Sequence, residues 1–453
     1  MPIFGRRQLQ RMLNELGPWL TRDKTKDLLK RLENVAPDQA LPAEYELGLT
    51  WGVSKIATLQ IDRLMGTRTP DIYSPDLLTS GPLVADVAAL NDVSLSGAGV
   101  MRRARNIINL TCDEICRRSS KHLQYTFREK SGYSRTSGGT SKLYRHRLVT
   151  RDFQMDQTLR DALKLWLANG PPSQSLTWNS RQIGVVIEWR GSVHPMTNVF
   201  CTMPSLAYDL RDNPLYRVLK MKSRQLRNAP EGIRRAIFLG DAGCSLLRDL
   251  RPVGSWYDTF SGQQIIQAFL GEDRSIDLVV VFSVKREWSN STNSSGDRRV
   301  LRPDAFGQHE TVPEEDFRRL ELLTSILPKP YLGGYQAYSW HEQGMCSPDA
   351  RGKYLPVHMS IGRERMTFRI SARAVQELMA GKLSPETFRD WSFGKDNPVS
   401  LQLAAGRTIS AVRFEPKGDD EDDDYLVFEF REDPAATELG LPIQLRNEDM
   451  NKA

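Results

Sequence analysis

Cysteine and histidine are scarce in this 453-residue chain, with five of one and six of the other. Five cysteines over such a length make no disulfide framework. Cys112 and Cys116, four apart in a helical stretch, lack the second pair that a zinc site needs. The expectation is a reduced, cytoplasmic protein. No apolar run approaches the roughly 18 to 20 residues of a membrane span. The opening MPIFGRRQLQRML lacks the apolar core of a secretory signal, so no membrane partner is expected. Also missing are a G-x-x-x-x-G-K-[ST] phosphate loop, an H-E-x-x-H helix, a G-x-S-x-G elbow and any internal repeat. These absences set aside the P-loop, zincin and serine-hydrolase classes.

What is present is ordinary globular composition, 40% hydrophobic and 26% charged, which excludes collagenous and wholly disordered chains. The net charge of +6 conceals a polarity. Residues 117–151 hold ten Lys/Arg and one acid, Glu129, whereas residues 407–453 hold six Lys/Arg and thirteen Asp/Glu. A concentrated basic segment makes nucleic acid, DNA in the first instance, the expected partner, because cations release counterions from phosphates. Tyr125, Phe127, Tyr133 and Tyr144 interleave with those charges and could stack on bases. The middle of the segment, SGYSRTSGGTSK, predicts a mobile loop, with Arg135, Lys142, Arg145 and Arg147 as candidate phosphate contacts. The plainer alternative is a solvated loop balancing an acidic stretch such as 419–424. That stretch, DDEDDD, lacks the spacing and glycine of a calcium loop and reads as a hairpin tip.

The hydrophobic pattern divides the chain into a helical N-terminal segment (1–40), an α/β core (41–330) with a basic insertion at about 117–151, and an α+β accessory domain (331–453). The last is expected to receive partner proteins. Residues 1–35 read as helix, and Pro42 opens a second helix that ends near Gly66. Residues 71–73 and 83–90 read as strands around a turn, 100–118 and 156–168 as helices, and 183–189 (IGVVIEW) as a buried strand. A helix over 214–227 has Asn213 as cap and Pro214 in its first turn. Strands follow at 236–239 and 276–284, on either side of a helix at 263–270; 288–297 is an Asn/Ser-rich loop. Beyond a loop-rich, aromatic stretch at 331–354, a strand at 366–370, a helix at 372–380 and a hairpin at 409–415 and 425–430 are expected. Alternation of this kind predicts a mixed sheet flanked by helices. GDAGCSLLRD (240–249) lacks the glycine spacing of a phosphate loop and reads as strand, turn and helix, with Asp241 at the turn.

The segment 44–92 carries the densest chemistry. Glu44 and Glu46 sit on a helix, then come Pro70-Asp71-Ile72 and, after a turn, Val84-Ala85-Asp86-Val87. Carboxylates at the ends of adjacent strands, beside a helical Glu, suit a hard cation such as Mg²⁺ or Mn²⁺. In this order the chain resembles the PD-(D/E)XK nuclease superfamily. The resemblance implies a restriction-endonuclease-like core, Asp71 and Asp86 as metal ligands, and Glu46 orienting a ligand or water. Ala88 stands where the family has lysine. Lys220 and Lys222 on the 214–227 helix are the replacements, and Lys222 with Gln225 is similar to the K-x-x-Q helix pattern of several such nucleases. A competing alignment takes Ile187-Glu188-Trp189-Arg190 as the catalytic strand, with Arg for Lys, but no aspartate precedes it. With an insertion at 93–180, one fold would gather Asp71, Asp86 and Glu188 together. The resemblance implies a metal-dependent DNA endonuclease, of the bacterial restriction or phage-defence kind. The alternative is a catalytically inactive nucleic-acid-binding or scaffold subunit of a multi-protein complex.

Overall fold

The computed structural model describes residues 3–34, 36–61, 69–135, 141–168, 175–190, 199–200, 206–251, 259–288, 297–308, 312–344, 357–361, 366–385, 388, 398–416 and 424–433. The chain divides into two compact units. One comprises residues 1–48, 328–332 and 339–453, and the other 49–327 and 333–338. The N-terminal helices group with the C-terminal sheet in the first unit.

The first unit begins with α1 (Arg6–Leu16) and α2 (Arg22–Leu32), not the single helix expected over 1–35. Pro18, after Gly17, cannot continue a helix, and the Thr21 hydroxyl restarts one by accepting the Lys24 N–H. Helix α3 (Pro37–Ile56) starts earlier than expected: Pro37, with its preset φ, opens it, and Pro42 lies inside at the cost of one backbone hydrogen bond. The buried Glu44 carboxylate accepts the N–H groups of Ile3 and Phe4 at 2.9 and 3.2 Å. Arg7 grips Asp424 bidentately, and Ile3 accepts the Tyr331 N–H, which ties the N-terminus to the distant part of the same unit.

The second unit contains β1 (Ile72–Leu78), β2 (Gly81–Leu90), α4 (Val93–Ser96), α5 (Ala98–Ile115), a 3-10 turn (Ser119–His122), β3 (Leu123–Phe127), β4 (Glu129–Arg135), β5 (Ser141–Arg147) and α6 (Gln157–Ala168). Next come β6 (Leu176–Asn179), β7 (Gly184–Trp189), β8 (Val199–Phe200), α7 (Pro214–Leu226), β9 (Arg234–Asp241), α8 (Ser245–Arg248), α9 (Gly262–Glu272), β10 (Leu278–Trp288), β11 (Asp297–Gly307) and α10 (Glu314–Ile326). The main sheet has the order β1-β2-β9-β10-β11. Its β2, β9 and β10 are parallel, and both outer pairs are antiparallel. Parallel neighbours need crossovers, and α7 and α9 supply the helices. They bury Leu215, Leu219, Ile265 and Phe269 against Ile237, Leu239 and Val279.

A second sheet, β6-β7-β3-β8, has its own core, in which Met101, Ile108, Leu159 and Leu163 pack with Tyr125 and Ile187. The expected insertion is therefore a folded layer. Within it the predicted mobile loop is a hairpin: β4 and β5 pair in register from Glu129↔Arg147 to Arg135↔Ser141. Composition alone does not count the backbone hydrogen bonds that such pairing supplies. Residues 136–140 of that stretch, and 289–296 of the Asn/Ser-rich stretch, lie outside the described residues.

The chain closes with α11 (Gly334–Gly344), inside the stretch expected to be loop, then β12 (Val357–Ile361), β13 (Met366–Ser371), α12 (Ala372–Met379), α13 (Pro398–Ala404), β14 (Arg407–Glu415) and β15 (Tyr425–Glu432). The burial of Ala337, Tyr338 and His341 accounts for α11. The four strands form an antiparallel sheet of order β12-β13-β15-β14 that includes the expected hairpin. Of the acidic tip only Asp424 is among the described residues, on Arg7.

One carboxylate clamps the β1–β2 turn. Buried Asp316 of α10 accepts the N–H groups of Thr79 and Ser80 at 2.8 and 3.2 Å and both their hydroxyls. Burial opposes its charge, but these donors outweigh burial and hold the carboxyl below its usual range. Asp316→Ala strands four donors and is expected to lower the unfolding free energy by about 3 kcal/mol in a urea titration. A loss under about 1 kcal/mol would contradict the clamp.

Candidate functional site

The β1–β2 hairpin brings two carboxylates together. The register Ile72↔Ala85 sets Asp71 across from Asp86. Asp71 N–H lies 3.3 Å from Asp86 Oδ1, and the Val87 N–H donates to Asp71 Oδ2 at 2.9 Å. Each side chain is thus held by the opposite strand's backbone. Asp86 lies midway along β2, in register with Ile237 of β9.

Helix α7 supplies the cation. Asn213 Oδ1 caps it through the Tyr216 N–H at 2.8 Å, Pro214 occupies the first turn, and Leu215, Leu219 and Leu226 are buried. Lys222 Nζ then stands 3.9 Å from Asp71 Oδ2 and 3.9 Å from Asp86 Oδ2, with side-chain exposures of only 13%, 16% and 6% for the three. At these exposures water screens little, so two mutually repelling carboxylates share one ammonium. The other side of α7 is pinned. The buried Ser223 hydroxyl donates to Asp273 Oδ2 at 2.7 Å, Lys220 Nζ is 3.8 Å from the same oxygen, and the Tyr216 hydroxyl donates to Glu272. Of the two candidate lysines, Lys222 is therefore the one at the carboxylates. Gln225, one helical turn on, has its side-chain oxygen shut off from solvent with no donor among the described residues.

Two other sequence candidates do not join this group. Glu188 lies on β7, in the second sheet, exposed and opposite Gln124, so the competing alignment and the expected trio with Asp71 and Asp86 are not realised. A β-branched run followed by an acid looks alike in either sheet; its pairing with β3 decides which. Glu46 belongs to the first unit, where Lys24 at 2.7 Å and Arg31 bind its oxygens. Burial opposes its ionisation, but those two cations win and hold it below the usual carboxylate range. Its carboxylate is thus committed to an ion-pair cluster that helical periodicity could not reveal. Among the described residues no group of three or more His, Cys, Asp or Glu gathers as a metal site, so Asp71 and Asp86 stand as a pair.

Of the basic candidates, Arg135, Lys142 and Arg145 lie on the β4–β5 hairpin. Arg147 is half-buried in register with Glu129, with its Cδ and Nε 3.0 Å from where a Cβ on Gly97 would stand. Burial lowers the Arg147 pKa against the pull of Glu129.

Sequence reading missed a second acidic pair, at the carboxyl ends of β2 and β9. Asp92 accepts the Ser245 N–H at 3.0 Å with either oxygen, and Asp241 Oδ1 accepts those of Gly243 and Cys244 at 2.9 and 2.8 Å. Gly243 has φ +102, a conformation that favours glycine, and a Cβ on Gly334 would come within 2.7 Å of Asp241 Oδ1. These are turn-building contacts, as expected for strand, turn and helix. No family model matches the chain, and no curated protein or solved structure is detectably similar to it.

Burial pushes the Asp241 carboxyl up to about 6, although the Cys244 and Gly243 N–H groups favour its ionised form. A carboxyl raised on folding binds its proton more tightly in the folded state. The stabilisation is therefore full below the ordinary aspartate range and lost as pH rises through about 6. Asp241→Asn keeps the acceptor and removes the titration. Relative to this variant, the wild type should lose about 2 kcal/mol between pH 4 and 7 in urea titrations. Parallel pH profiles would contradict the assignment.

Proposed function

We propose that the chain is a metal-dependent DNA endonuclease of the PD-(D/E)XK kind. Asp71 and Asp86 form its cation-binding pair, and Lys222 is the residue that meets the scissile phosphate. The observation that carries this reading is the approach of Lys222 to both carboxylates at 3.9 Å, from a helix between β2 and its parallel neighbour β9. The succession of hairpin, helix and parallel strand supports it, as does the recovery of the family's missing positive charge, since Ala88 is buried in the core two residues beyond Asp86.

The residues fit a hard divalent ion. Both ligands are carboxylate oxygens, and each strand's backbone N–H orients the opposite side chain, so little rearrangement is needed on binding. When bound, Mg²⁺ or Mn²⁺ supplies a Lewis acid for the phosphodiester. Lys222, nearly enclosed, donates to a phosphate oxygen and offsets the charge that builds during attack. Gln225 offers an acceptor one turn away for a water or for the ammonium. Neither Glu46 nor Glu188 has a role in this scheme.

Supercoiled plasmid incubated with the purified protein and Mg²⁺ or Mn²⁺ tests the reading. Asp71→Asn, Asp86→Asn and Lys222→Ala should each slow nicking by about a hundredfold or more, whereas Glu188→Gln leaves it unchanged. Failure of the wild type to cleave, or cleavage indifferent to Asp71 and Asp86, would sink it. Salt-dependent DNA binding without cleavage would favour the inactive, nucleic-acid-binding alternative.

A further inference from the structure

Where β3 starts beside the end of β7, His122 and Trp189 stack with ring centroids 4.7 Å apart and planes 13° from parallel. The backbone fixes the pair. Leu123 is in register with Trp189, the Arg190 N–H donates to His122 O at 2.7 Å, and His122 Nδ1 lies 3.2 Å from Arg190 O. Both rings are half-buried. The 3-10 turn leading into this stack is entered through Arg118, whose φ of 66° is the only positive value at a non-glycine among the described residues. Asp113 braces the turn by accepting the Ser120 N–H and hydroxyl at 2.9 and 2.6 Å. A strained residue kept in place by such bracing is the kind that clusters at working surfaces.

Basic residues lie in and just before the turn that leads into the stack. Arg117, Arg118 and Lys121 are exposed, and none of them forms an ion pair among the described residues. The acids nearest to these three cations in sequence are otherwise engaged, Asp113 with Ser120 and Glu114 with Arg160 at 2.8 Å. Arg147, by contrast, is partly withdrawn against Gly97. These three cations of the basic segment thus lie in and just before the turn that leads to the paired aromatic rings.

We propose that this turn and stack form a platform for single-stranded nucleic acid. One nucleobase continues the His122–Trp189 stack while Arg117, Arg118 and Lys121 neutralise the flanking phosphates. Bases within a duplex are already stacked on one another, so the platform favours single strands. The inference shares the nucleic-acid partner of the proposed function but does not depend on the chemistry of Asp71 and Asp86.

The test is fluorescence anisotropy of a labelled oligothymidylate with the full chain in EDTA, so that cleavage plays no part. Trp189→Ala should weaken binding about tenfold while Trp189→Phe retains most of it. Arg118→Gln and Lys121→Gln, both at exposed positions, should each lower the slope of log affinity against log salt by about 0.7; they carry the test if Trp189→Ala fails to fold. Unchanged slopes, a folded Trp189→Ala that binds like wild type, or equal losses for heparin and oligothymidylate would overturn the platform. Binding that depends on Trp189 in a protein that never cleaves would leave it standing while the endonuclease reading falls.

Discussion

A single ammonium held between two carboxylates is the constraint around which the larger unit is organised. Asp71, Asp86 and Lys222 are each at most 16% exposed, and removing three charges from water is costly unless they face one another. The arrangement survives because each member is fixed by something else. The hairpin backbone orients the two aspartates, Asp316 clamps the turn at the far end of that hairpin, and α7 is capped by Asn213 and anchored through Ser223 to Asp273. Loosening any of these would disturb the placement of two like charges about Lys222.

Much of that site was legible in the sequence because its signals are local. Pro70-Asp71 and Asp86 lie on short β-rich runs separated by a turn, and Asn213-Pro214 marks a helix start. Lys222 and Gln225 lie one turn apart, so they share a face. What stayed hidden was non-local. IGVVIEW reads as a buried strand whichever sheet it joins, and only its pairing with β3 removes Glu188 from the carboxylates. A helical glutamate shows nothing of the Lys24 and Arg31 that engage Glu46. The Ser/Gly/Thr-rich stretch looked like a loop because composition does not register a hairpin whose pairing lies in the backbone. Pro42 looked like a helix start because a better one, Pro37, precedes it.

The distribution of charge changes meaning once the fold is known. Of the acidic stretch 419–424, Asp424 is engaged by Arg7 within the first unit. Within the basic segment Arg147 is half-buried opposite Glu129, whereas Arg117, Arg118 and Lys121 are exposed. Net charge pointed to an anionic partner.

The proposed endonuclease requires that the two hairpin carboxylates form a site for a hard cation whose field Lys222 shares. Titration of the full chain with Mn²⁺, followed by calorimetry or by the loss of the free-ion spin-resonance signal, tests it without requiring turnover. One Mn²⁺ should bind per chain, at least about tenfold more weakly after Asp71→Asn or Asp86→Asn, and more tightly after Lys222→Met, because the ammonium and the metal ion repel. Mn²⁺ binding that is absent, or unmoved by all three substitutions, would contradict it.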